Sequence, residues 1–165
     1  MSQFTTSSRD ASRPQASPLP TSDDQLRLVA FDAEDLSVLS AHLQDAVVKV
    51  GDLAYVPERN RFALVARRFD WTCCDRDLRR CLSGLSFERV LRARTRGLDL
   101  AATDKVLSLL AVHFSPREAP SGTATLVFAG GAEIELELEC LEARMRDLGP
   151  AWSTKSQPAH DLGQD

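Results

Sequence analysis

Apolar residues along this chain recur at two spacings, and the change from one to the other marks the predicted elements. Leu26, Leu28 and Ala30 alternate with Arg27, Val29 and Phe31 in a short extended stretch that stops at Asp32. An aspartate there can accept hydrogen bonds from the first free amides of a helix. The helix it opens, Ala33 to about Ala46, sets Leu36, Leu39, Leu43 and Ala46 on one stripe at steps of three and four, with Glu34 and Asp35 complementing the N-terminal dipole. Val47 to Val56 and Phe62 to Phe69 are β-rich runs around Pro57-Glu58-Arg59-Asn60, which predicts a hairpin. The pattern then breaks from Asp70 to Ser83, read as a loop with one short helical turn at Arg76 to Leu82.

A further strand is predicted with Leu85, Phe87, Leu91 and Ala93 buried and Glu88, Arg92, Arg94 and Arg96 outward, followed by a turn at Gly97. Val106 to Phe114 is apolar on both faces, and its short length before Pro116 favours strand over buried helix. TATLVFA and AEIELELE, joined at Gly130-Gly131, read as a hairpin with a tight primed turn, Ile134, Leu136 and Leu138 inward and Glu133, Glu135, Glu137 and Glu139 outward. Leu141, Met145 and Leu148 suggest a closing helix from Cys140 to Leu148, stopped by Gly149-Pro150.

With no long parallel crossovers, this order predicts an α+β fold, mainly antiparallel. It would be a strongly curved sheet or small barrel of about six to seven strands, with one helix near the N-terminus and one C-terminal helix. The arrangement resembles that of pleckstrin-homology domains, an analogy of fold that carries no ligand. Residues 1–25, rich in Ser, Thr, Pro, Asp and Gln, read as a disordered tail. Residues 26–152 read as a single domain and 153–165 as a flexible tail.

Composition narrows the function classes. At 165 residues and 43% hydrophobic, the chain can bury a core without a staple. No apolar run is long enough to span a bilayer and the N-terminal stretch lacks a secretory apolar segment, so no membrane partner and a cytoplasmic location are expected. Cys73, Cys74, Cys81 and Cys140 lack the paired spacing of zinc sites or disulfide frameworks and are expected as free thiols, with no metal and no cofactor. The net charge of −4 does not favour polyanions, but its distribution is uneven. Arg61 to Arg96 holds ten arginines against four acids, and Glu133 to Glu142 holds five glutamates and no base.

The candidate surface is accordingly Arg67, Arg92, Arg94 and Arg96, with Arg76, Arg79 and Arg80 close by in sequence, together with Trp71 and Trp152 at element margins. Arginine forks suit phosphate and carboxylate groups. The competing expectation is that Arg92, Arg94 and Arg96 pair across the sheet with Glu133, Glu135 and Glu137, each exposed pair contributing roughly 0 to 1 kcal/mol. The two tryptophans are read first as core seals and second as partner anchors. His42, near Ser40 and Asp45, is read as a surface or helix–sheet contact rather than an acid–base group, since no nucleophile-elbow pattern accompanies it. His113 is read as a partly buried packing residue. No catalytic residue is assigned.

The segments LVAFDAEDLSVLSAHLQDAVVKVGDLAYVPERNRFALVARRF, LSFERVLRARTRGLD, VLSLLAVHF and LVFAGGAEIELELECLEARMRDLGPAW, from about Leu26 to His160, resemble a bacterial, mainly alphaproteobacterial, family known as domain of unknown function 2948. The resemblance implies a small intracellular bacterial protein and transfers no catalytic residue. The sequence therefore predicts a non-catalytic interaction module or assembly factor with a protein partner. Second stands an anion- or nucleic-acid-binding protein using the Arg67 to Arg96 region, and third an enzyme.

Overall fold

The computed structural model describes residues 25–70 and 79–149, together with the backbone of Trp152 and Ser153. Strand β1 (Arg27–Ala30) leads into helix α1 (Ala33–Leu43). Strands β2 (Ala46–Val56), β3 (Arg61–Phe69), β4 (Arg79–Phe87), β5 (Val90–Arg96), β6 (Val106–Pro116), β7 (Gly122–Phe128), β8 (Glu133–Leu138), β9 (Ala143–Asp147) and the short β10 (Trp152–Ser153) follow.

Local chemistry explains α1. The Asp32 side chain accepts from the Asp35 N–H at 2.8 Å, and the stripe Leu36, Leu39 and Leu43 is fully buried. The helix stops three residues earlier than the apolar stripe suggests because Asp45 takes a positive φ of 63° and Ala46 already belongs to β2. At the β2–β3 turn Asn60 is left-handed, a conformation its short polar side chain tolerates. Gly130 and Gly131 both have positive φ, as expected for this hairpin, but the connection is a wider one in which Phe128 N–H donates to the Ala132 carbonyl.

All ladders are antiparallel and run in the order β1-β9-β4-β3-β2-β6-β7-β8-β5, with β10 beside β4. Among the described residues the sheet is ten-stranded and open, its path ending at β1 and β5, so the expected barrel or six-to-seven-strand sheet is not what forms. The expected C-terminal helix is absent too. Leu141 and Met145 are buried as that stripe required, but residues 143–147 alternate strictly, with Ala143, Met145 and Asp147 inward and Arg144 and Arg146 outward, and form β9 between β1 and β4. Leucine and methionine at a step of four fit both periods over so short a stretch, and pairing on both flanks decides for strand.

Two further expectations change. Arg79 to Ser83 is strand rather than loop or helical turn; residues 71–78 lie outside the described residues. The predicted strand around Leu91 is broken by Arg89 at φ 57°, after which Val90 is buried and Leu91 sits at a ladder irregularity, 58% exposed. The inserted residue shifts the apolar position by one, as a bulge does. Among the described residues α1 is the only helix beyond one turn; it covers one face of the sheet, and the opposite face is called the outer face below.

Candidate functional site

Among the described residues, polar side chains gather at one place inside the core and at several on the outer face. The buried one was not foreseen in the sequence. Alternation along β3 puts Arg68 on the core face after Phe62, Leu64 and Ala66, and the same logic places Ser83 and Cys81 on β4 and Asp147 on β9. The Asp147 carboxylate accepts from Arg68 Nε at 3.0 Å, Arg68 Nη2 at 2.8 Å, Ser83 Oγ at 2.6 Å and the Leu26 N–H at 3.0 Å, with Cys81 Sγ at 3.6 Å. The Arg68 side chain is 3% exposed.

Burial would raise the Asp147 pKa, but hydrogen bonds from Arg68 and Ser83 and the guanidinium charge outweigh it and hold the carboxyl below its usual range. Burial likewise opposes the charge on Arg68, and Asp147 more than restores it, raising its pKa. Burial pushes the Cys81 thiol up to about 12, so it is no nucleophile at neutral pH. His42, at the C-terminal end of α1, is lowered by burial and then by the Arg68 charge, and its Nδ1 has no hydrogen-bond partner among the described residues. Ser83 donates to a carboxylate inside the core instead of to a base at a surface. The cluster therefore ties β1, β3, β4 and β9 together, and its atoms are committed to that task.

On the outer face at one end of the sheet, Arg92, Arg94 and Arg96 of β5 stand opposite Glu137, Glu135 and Glu133 of β8. The pairs form: Arg94 Nη2 lies 3.1 Å from Glu137, Arg92 Nε 3.9 Å from Glu137, Arg94 Nε 4.0 Å from Glu135 and Arg96 Nη1 3.7 Å from Glu133. These charges are matched within the chain. Arg67 stands elsewhere, on β3 opposite Val47 of β2 and Leu82 of β4. The predicted patch is thus split. Trp71 lies outside the described residues; Trp152 is placed by its backbone, opposite Arg80 in β10.

At the other end, the outer face is built of two registers. One runs Arg27, Arg146, Gly84, Val65 across β1, β9, β4 and β3, and the next runs Val29, Arg144, Ser86, Ala63. The small side chains on β4 and β3 leave a groove of about 500 Å³, with Leu148 at one margin. Val29 and Leu148 are 49% and 42% exposed. Arg144 pairs with Glu142 at 2.9 Å and Arg61 with Glu88 at 2.8 Å. Arg27 and Arg146 are exposed, sit directly opposite one another, and have no carboxylate within ion-pair distance among the described residues. Like charges facing across a ladder are destabilising unless something neutralises them. A neighbouring hollow of about 410 Å³, around Arg59, Glu88, Arg89, Glu139 and Glu142, is lined by ion pairs that already close on each other.

The family model for proteins of unknown function DUF2948 matches residues 26–160, the segment that spans every strand just described. The chain belongs to this family. No curated protein and no solved structure matches it. Family membership assigns no role to any residue, so the contrast between the two arginine ladders is what directs the functional reading of this DUF2948 protein.

His113 is exposed on the outer side of β6 opposite Thr125, not a packing residue. Among the described residues no group of three His, Cys, Asp or Glu side chains is arranged to hold a metal ion, and no helix is long and apolar enough to cross a membrane. Arg27 and Arg146 were missed because they are far apart in sequence and occur singly; the only signal was that each alternates with apolar neighbours, Leu26 and Leu28 in one case and Met145 in the other.

Proposed function

We propose that this protein is a cytoplasmic, non-catalytic interaction module whose binding face is the outer surface of β1, β9, β4 and β3, and whose partner presents acidic groups on a protein surface. One observation carries the reading: Arg27 and Arg146 face each other, exposed and with no carboxylate partner among the described residues, whereas the arginines of β5 each stand within 4.0 Å of a glutamate. A groove floored by Gly84, Ser86, Ala63 and Val65 beside exposed Val29 and Leu148 supplies apolar area between the cations, the mixture that protein interfaces use. A nucleic acid is a poorer occupant, since neither register carries an aromatic ring for base stacking and the chain as a whole is acidic.

The test is affinity capture from nuclease-treated lysate at low and moderate salt, with wild-type chain beside the Arg27→Glu/Arg146→Glu and Arg92→Ala/Arg94→Ala variants. A protein retained by wild type and by the β5 variant, and lost with the charge reversal, supports the reading. Equal loss in both double variants, or recovery of nucleic acid when nuclease is omitted and of nothing when it is present, overturns it.

A further inference from the structure

Strand β1 ends the sheet, and its hydrogen-bonding phase can be read from its neighbours. The Asp147 N–H donates to the Leu26 carbonyl at 3.0 Å, so in this antiparallel ladder Leu26, Leu28 and Ala30 direct their backbone groups toward β9. Arg27 and Val29 must then direct theirs to the open edge. The side chains of the same two residues project onto the outer face, where Arg27 opposes Arg146 and Val29 opposes Arg144. Among the described residues the edge thus offers unpaired backbone donors and acceptors next to positive charge that no carboxylate meets.

The opposite end of the sheet shows what completes such a ladder. There the outward arginines of β5 are met by the strand EIELEL of β8, whose glutamates point to the arginines and whose Ile134, Leu136 and Leu138 point into the core. Resting on the interaction reading above, we infer that β1 is the acceptor for an added strand. The occupant is an extended segment of a partner protein in which acidic residues alternate with apolar ones. Its backbone pairs with Arg27 and Val29, its acids lie beside Arg27 and Arg146, and its apolar side chains face the side of Leu28 and α1. A second copy of this chain fits poorly, because β1 against β1 would bring Arg27 toward its own copy. Strand addition draws affinity from main-chain bonds and specificity from alternate side chains, which is the division this edge presents.

The chain contains its own probe. A capped synthetic peptide AEIELELE, the sequence of residues 132–139, is titrated into the full-length protein while backbone amide resonances are followed, with AKIKLKLK as charge control. The expected result is saturable binding of the acidic peptide below about 1 mM, weakened about tenfold or more by moderate salt. Shifts should centre on Arg27 and Val29, and the basic peptide should not bind.

Two changes separate edge from face. Val29→Pro removes an edge donor while leaving the β9 side of the ladder intact, and a peptide N-methylated at alternate amides removes the pairing without altering the protein. Loss of binding in both supports the inference. Binding that survives N-methylation but is lost with Arg27→Ala/Arg146→Ala overturns strand addition and leaves the face reading standing. Binding indifferent to those arginines, shifts centred on β5, or no binding at about 1 mM each overturns the inference.

Discussion

The two ends of this sheet carry arginine ladders built to the same plan and left in opposite states. At the β5 end, outward arginines alternate with outward glutamates on the neighbouring strand, and every charge has an answer within the fold. At the β1 end, arginine faces arginine, the next strand inward offers only Gly84 and Ser86, and the floor stays open. A fold gains little from exposed pairs, so the first ladder contributes mainly to solubility and register, with its charged outer positions also guarding an edge strand against association. Stability supplies no reason for the second. Its unbalanced charge sits over the buried Arg68–Asp147 pair, which fixes β1 and β9 in place from the core side. One ladder is neutralised within the chain; among the described residues the other is not.

The most forceful way to break the contrast is to remove what holds the β1 ladder. Asp147→Ala strands the Arg68 charge in the core, and should cost about 3–5 kcal/mol in urea-induced unfolding, since one partner of a buried pair is lost. The double variant Arg68→Met/Asp147→Asn keeps an acceptor oxygen for Ser83 while removing both charges, and should recover part of that loss. The pH dependence follows from the same group. Because the folded-state pKa of Asp147 is depressed, its contribution is complete above the ordinary carboxylate range and is lost as pH falls through the lowered value. His42, also depressed, acts in the same direction below its ordinary value of 6.5. Thermal melts across the acid range should therefore fall more steeply for wild type than for the double variant, and parallel curves would refute the assignment.

Next in size is the effect on binding. Arg27→Glu/Arg146→Glu should reduce affinity for an acidic partner at least about tenfold, chiefly through association rate and salt sensitivity, with folding stability little changed because one exposed like-charge pair replaces another. Gly84→Ala sharpens the comparison without touching charge. A Cβ at Gly84 meets Leu148 at an ordinary 3.5 Å, so the substitution narrows the groove while unfolding free energy stays within roughly 0.5 kcal/mol; the expected readout is weaker capture at an unchanged melting temperature. The smallest effect belongs to the β5 ladder. Arg94→Ala should cost no more than about 1 kcal/mol by denaturant titration, should matter less at high salt, and should leave partner binding unchanged.

Much of this architecture was legible where one period ran uninterrupted. The cap at Asp32, the stripe Leu36–Leu39–Leu43, the Pro57–Asn60 turn and the alternation from Glu133 to Leu138 all express short-range preferences that the tertiary structure only had to accept. Arg92, Arg94 and Arg96 were likewise readable as one outward row. What failed to show was any feature requiring a distant strand: the break at Arg89, the strand identity of residues 143–147, and the insertion of β9 between β1 and β4. Met145 and Leu141 carry the same burial under either period, and pairing with β1 and β4 on both flanks is what decides for strand.

The amino-acid sequence by itself therefore determined the local elements and which face of each strand is apolar, because those follow from propensity, capping and alternation within a few residues. Only the tertiary structure decided which faces share a sheet. Pairing Arg27 with Arg146, and Arg68 with Asp147, joins residues separated by most or nearly half of the chain. Such choices are made by backbone hydrogen bonding and burial across the whole sheet. They turn two singly placed arginines into a charged edge and an unremarked arginine–aspartate pair into its anchor.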